Sequence, residues 1–152
     1  MRNLPQDLHP AYSQLSRLLA GLKSARSYVE GDLLFAEGEP CEGIYLIESG
    51  EIRLEVTTRE KCLKVFDTVN AEVVLGLSET MSGLRHTLTA EAAGPVQASF
   101  VERTALLKFL ARHCDACMLI VALLSEDLHG LYRRCRSVTA ADIRSRNKAS
   151  KA

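Results

Sequence analysis

Chemistry in this chain would have to come from its five cysteines, four histidines and scattered carboxylates. Cys114-x-x-Cys117, with His113 beside it, has the spacing of half a metal site or of a redox pair. A tetrahedral zinc site needs two further ligands, and Cys135 lies about five helical turns beyond Cys117, too far to share an ion. No bound metal is expected. An odd number of cysteines (Cys41, Cys62, Cys114, Cys117, Cys135) fits thiols in a reducing compartment better than a disulfide framework. Glu37, Glu39, Glu42, Glu48 and Glu51 alternate with turn residues and read as solvated edges rather than general acids. The chain has no G-x-x-x-x-G-K-[ST], no G-x-S-x-G and no H-E-x-x-H. It is expected not to be an enzyme.

These residues must be positioned by elements that the hydrophobic pattern outlines. Between Tyr28 and Val56, glycines punctuate short apolar runs, and Ile44, Leu46, Ile52, Leu54 and Val56 follow a period of two. Gly38-Glu39-Pro40 and Ser49-Gly50-Glu51 read as turns. Strands are expected near 26–29, 33–36, 43–49, 51–57, 61–69, 73–77, 86–92 and 96–101, with a hairpin at Thr58-Arg59-Glu60. A helix is expected over 4–22, from Leu8, Tyr12, Leu15, Leu18, Leu19 and Leu22 at helical spacing. Thr104 is the expected N-cap of a short helix, and Asp115 that of a long one ending near Val138. On this last helix Val121, Leu124, Leu128, Leu131, Cys135 and Val138 are separated by three and four residues in alternation. Such a heptad seam lets one helix pack along another. Leu119, Ile120 and Leu123 would pack on the helix's own domain. The same phase carries back to Cys117 and Cys114, where cysteines read as small core residues.

Charge sorts the chain further. It is neutral overall, with 19 basic and 19 acidic residues, so no global field draws it to nucleic acid or membrane. From Arg133 onward seven Lys/Arg face Asp142 alone, leaving +6 on that segment. This reads as cations at a helix C-terminus plus a solvated tail, or as an approach to DNA. The longest apolar run, Met118 to Leu124, has seven residues, far short of a membrane span. Without a signal-peptide pattern at the start, a cytoplasmic protein is expected. The divisions expected are a helix over 1–24, a strand-rich core over 25–103, two helices over 104–138 and a basic, disordered tail over 139–152.

The pattern G-D-x-[LI]-F-x-E-G-E from Gly31, followed by G-I-Y-L-I-x-x-G-E-I-x-L from Gly43, resembles the opening of a cyclic-nucleotide-binding-type β-roll. More narrowly, it resembles the sensor domain of Crp/Fnr-type bacterial transcription regulators, over roughly 26–138. The resemblance implies a mainly β fold with flanking α-helices. It would be a double-stranded β-roll, or jelly roll, followed by a long dimerisation helix. It also implies a homodimer along Val121, Leu124, Leu128, Leu131, Cys135 and Val138. DNA would be reached through a winged helix-turn-helix, which these 152 residues do not include.

Binders of this fold hold the cyclic nucleotide with a Gly-Glu-[Leu/Ile]-Ala … Arg-[Ser/Thr]-Ala cassette. The matching stretch here is Gly76-Leu77-Ser78-Glu79, then Arg85-His86-Thr87. Leu77 stands where the glutamate would hold the ribose hydroxyl, which leucine cannot accept. His86 stands where the arginine would pair with the phosphate, and Arg85 is one residue early. One residue in a strand turns a side chain to the other face. The expectation is an effector-sensing domain with a degenerate pocket that does not hold cAMP or cGMP tightly. Ser78, Thr80, Ser82, Arg85, His86 and Thr87 would line it for a small anionic effector, or the pocket is vestigial. Two alternatives remain: a stand-alone dimerisation or docking module, and a thiol-based redox sensor.

Overall fold

The computed structural model describes residues 10–58 and 63–150, with side chains placed for 11–58, 67–130, 132 and 133. The chain opens with helix α1 (Pro10–Leu18), a 3-10 turn (Ala20–Leu22), and strands β1 (Ser24–Tyr28), β2 (Leu33–Phe35), β3 (Gly43–Ser49), β4 (Ile52–Thr57), β5 (Leu63–Val69) and β6 (Val73–Leu75). Then come α2 (Leu77–Ser82), β7 (Thr89–Ala92), β8 (Val96–Glu102), α3 (Arg103–Leu110) and α4 (Cys114–Ser150). Two antiparallel sheets of four strands, ordered β1-β8-β3-β6 and β2-β7-β4-β5, face each other as a roll.

Period-two patterning explains why these strands close on each other. Ile52 and Leu54 point into the roll with Phe35, Ala90 and Ala92, while Arg53 points outward and pairs with Glu91 at 3.4 Å. Strand β3 is buried on both faces. Tyr45 and Ile47 join the roll interior, whereas Ile44 and Leu46 sit under the helices with Tyr12, Leu15, Leu19, Val101, Leu106, Ala116 and Ile120. That double burial is why 43–47 reads as a continuous apolar run rather than a clean alternation. The Tyr12 hydroxyl donates to the Ile47 carbonyl at 2.9 Å, pinning α1 to β3. Burial, with Glu48 and Glu72 nearby, pushes that phenol up to about 12.

Several boundaries differ from the sequence reading. Helix α3 starts at Arg103 with Glu102 at its cap, not at Thr104. Helix α4 starts at Cys114, with Asp115 in its first turn. It continues to Ser150, well past the expected end near Val138 and through most of the stretch expected to be a disordered tail. Its last turns are rich in Ala, Arg and Lys, good helix formers despite their polarity. Helix α2 has no counterpart among the expected elements. Residues 1–9 of the expected first helix, and Arg59, Glu60 and Cys62 with the expected hairpin tip, lie outside the described residues. No described helix is long and apolar enough to cross a membrane.

Candidate functional site

The site is built where β6 hands over to α2. Gly76 takes a left-handed φ of +79°, and a Cβ there would lie 3.0 Å from the Gly43 carbonyl oxygen and 3.5 Å from His86 Cε1. Only glycine fits both the angle and the space. Gly83 closes α2 from the other end, its N–H donating to the Glu79 carbonyl at 2.8 Å. Leu77 and Thr80 turn inward. Ser78 is exposed and accepts the Ser82 hydroxyl on its carbonyl at 2.7 Å. The Thr87 hydroxyl donates to Glu79 Oε1 at 2.8 Å, tying the end of the cassette back to α2. Arg103 Nε donates to the Thr80 carbonyl at 2.9 Å, and Cys41 Sγ lies 3.1 Å from Thr80 Oγ1.

The two candidate phosphate partners do not face this site together. Arg85 is exposed, and its guanidinium donates to the Gly38 carbonyl at 3.0 Å, tying it to the β2–β3 turn. His86 is 4% exposed and stacks on Phe35, ring centroids 3.8 Å apart and planes 10° from parallel. Its backbone N–H donates to the Glu39 carbonyl at 2.9 Å, and its backbone carbonyl accepts from the Gly38 N–H at 2.8 Å. Its Nδ1 has no partner. Burial pushes the His86 imidazole below its ordinary range, against the opposing pull of Glu79, Glu39 and Glu42. A ring held neutral this way is a poor phosphate anchor.

That shift has a measurable sign. Below about pH 6.5 the unfolded chain protonates His86 while the folded chain resists, so stability is lost as the pH falls toward the folded pKa. His86→Phe, which keeps a ring on Phe35, should flatten this acid limb. Urea midpoints at about pH 7.5 and about pH 5.5 compare the two proteins. An equal acid loss in both would show that His86 is not the titrating group.

Beside α2 opens a cleft of about 450 Å³, lined by Phe35, Leu54, Val69 and Leu75 from the roll, by Gly76 to Glu79 and Thr87, and by Glu126, Asp127 and Gly130 of α4. Gly76, Leu77, Ser78, Glu79 and Thr87 of the expected cassette therefore meet here, whereas Arg85 and His86 are absent from the lining. Asp67, Glu79, Glu126 and Asp127 are its charged members, and no Lys, Arg or His lines it among the described residues. Asp67, Glu126 and Asp127 escaped the sequence reading because they come from β5 and α4, remote from the cassette motif.

The outer face of α4 is the second feature. Among the described residues, Met118, Val121, Leu128 and Tyr132 are 66%, 53%, 47% and 53% exposed, half of the large apolar side chains left in solvent. With Ser125 they form a stripe at alternating spacings of three and four. Val121 and Leu128 belong to the expected seam. Leu124 does not share this exposure: it packs with Leu119 and Leu123 against the cluster between β3 and the helices. The side chains of Leu131, Cys135 and Val138 lie outside the described ones.

Residues 25–113 match the family described as cyclic nucleotide-binding domain. Among solved structures, a cyclic nucleotide-binding domain from Methylobacillus flagellatus matches at 21% identity and TM-score 0.71, over 80% of this chain and 68% of that one. The Thermus thermophilus catabolite activator protein matches at 18% identity and TM-score 0.72, over 83% of this chain and 59% of that one. The sensor domain of the transcriptional regulator DNR from Pseudomonas aeruginosa matches at 20% identity and TM-score 0.63, over 84% of this chain and 95% of that one. Identities this low show a shared fold. The chain spans 63% of a Ruegeria pomeroyi relative of the same fold, so it matches only part of some relatives' length. No curated protein matches the sequence.

Proposed function

We propose that this chain, which belongs to the cyclic nucleotide-binding domain family, is the effector-sensing domain of a Crp/Fnr-like transcription regulator and signals through an α4-mediated homodimer. The observation that carries this reading is the shared cleft: one cavity touches both the α2 cassette and Glu126, Asp127 and Gly130 of α4. A ligand bound there has different contacts for each position of α4 relative to the roll, and such differential contact is what shifts a conformational equilibrium. On the other side of the same helix, the stripe Met118, Val121, Leu128 and Tyr132 offers itself to a second copy.

The effector is a small molecule other than a cyclic nucleotide. A cyclic phosphate needs a cation and donors at its oxygens, and the described lining supplies carboxylates. DNA contact would belong to a helix-turn-helix outside these 152 residues. Light scattering at tens of micromolar tests the dimer: twice the chain mass is expected, and a monomer at that concentration contradicts signalling through paired α4 helices.

A further inference from the structure

We infer that Cys114 and Cys117 form a dithiol that exchanges with anionic low-molecular-weight disulfides of the glutathione class, closing an intrachain disulfide across the first turn of α4. The Cys117 N–H donates to the His113 carbonyl at 3.2 Å, so His113 caps the helix and the two thiols occupy its first and fourth positions. Side chains on a helix lean toward its N-terminus, which carries Cys117 over the turn that holds Cys114. The lean is visible: Cys117 Sγ donates back to the Leu110 carbonyl at 3.3 Å. Residues three apart on a helix have Cβ atoms about 5–6 Å apart, and a disulfide needs about 3.5–4.5 Å. The first turn is where a helix tightens most readily to close that gap.

Exposure divides the work between the thiols. Cys114 is exposed and Cys117 half-buried, packed against the cluster between β3 and the helices. Cys114 is the attacking thiol and Cys117 the resolving one. A separate observation points to the partner. Beside His113 lies a cleft of about 700 Å³ lined by Leu22, Ala105, Lys108, Phe109, Arg112 and His113. Its walls combine cations with the Phe109 ring, on which His113 stacks at 3.8 Å. Such a surface suits a peptide-sized disulfide bearing carboxylates.

The exchange balances. The Cys114 thiolate attacks one sulfur of the small disulfide, whose bond breaks and releases one thiolate. The Cys117 thiolate then attacks the Cys114 sulfur of the mixed disulfide and releases the second. The protein loses two electrons and two protons; the small disulfide becomes two thiols. Closing the bridge takes Cys117 away from the Leu110 carbonyl, at the corner where α3 passes into α4.

The test is to incubate the reduced 152-residue chain with glutathione disulfide, quench with acid, alkylate, and weigh the tryptic peptide 113–133, which contains only these two cysteines. The expected product lacks two hydrogen atoms and both alkyl groups. Cys117→Ser should stop at one glutathione on Cys114, and Cys114→Ser should slow modification of Cys117 by about tenfold or more. Lys108→Glu with Arg112→Glu, followed on tryptic peptide 104–133 because two cleavage sites are lost, should slow attack on glutathione disulfide by about tenfold while leaving the uncharged hydroxyethyl disulfide unaffected. A peptide that stays dithiol would overturn the inference. So would a Cys114-to-Cys114 link between two copies, or a charge reversal that slows both disulfides alike.

Discussion

Under the proposed α4 pairing, Val121→Glu with Leu128→Glu will yield a folded monomer at concentrations where the unaltered chain is expected to dimerise. Both side chains stand about half exposed on the outer stripe of α4, so the roll has little need of them. Burying such a side chain contributes roughly 1.5–3 kcal/mol at most, and a two-fold interface contains each of them twice. Allowing for partial burial, losing four contacts and gaining four buried charges should weaken association by about a thousandfold or more. Leu124→Glu is the contrasting variant. Leu124 faces the cluster that holds α4 on the roll, so its replacement should lower the urea midpoint of the chain itself. Light scattering with urea melts on both proteins separates the two faces. If Leu124→Glu dissociated the dimer without loss of fold stability, the interface would follow Val121, Leu124 and Leu128 instead of Met118, Val121, Leu128 and Tyr132.

Leu77→Glu will not restore a cyclic-nucleotide site, although it recreates the family's glutamate at that position. Leu77 is 2% exposed and belongs to the apolar cluster of Leu46, Val101, Leu106 and Ile120. A carboxylate there lacks a cation among its described cluster neighbours, which are apolar. Burying it should cost about 3–5 kcal/mol of stability. The expected result is a large drop in urea midpoint and no gain in cAMP affinity. A stable variant that bound cAMP would show that the leucine alone closed the site.

The roll was legible because its strands obey simple rules. The residue types of β4 alternate cleanly between apolar and polar, and Gly31, Gly38 and Gly50 sit at left-handed turns with φ of +91°, +86° and +103°, as turn chemistry requires. Helix α2 was invisible to periodicity, since six residues between two glycines are too few to show a face. The cassette itself could be found by its glycine, but not the orientation of its partners. Arg85 is tied to the Gly38 carbonyl and His86 lies under Phe35, contacts made between segments distant in sequence. On α4 the run 118–124 is apolar all round, so two heptad tracings are equally consistent with it. Only packing against the roll separates the stripe through Leu124 from the stripe through Met118 and Tyr132.

The most direct test of this account is a calorimetric titration of cAMP into the intact chain. The cleft is lined by the α2 cassette and joins the roll to α4, yet no Lys, Arg or His lines it among the described residues. The result predicted is no binding tighter than about 10 μM. A saturable isotherm with a dissociation constant at or below about 10 μM, at one site per chain, would contradict the central claim that this sensor has left the cyclic phosphate behind.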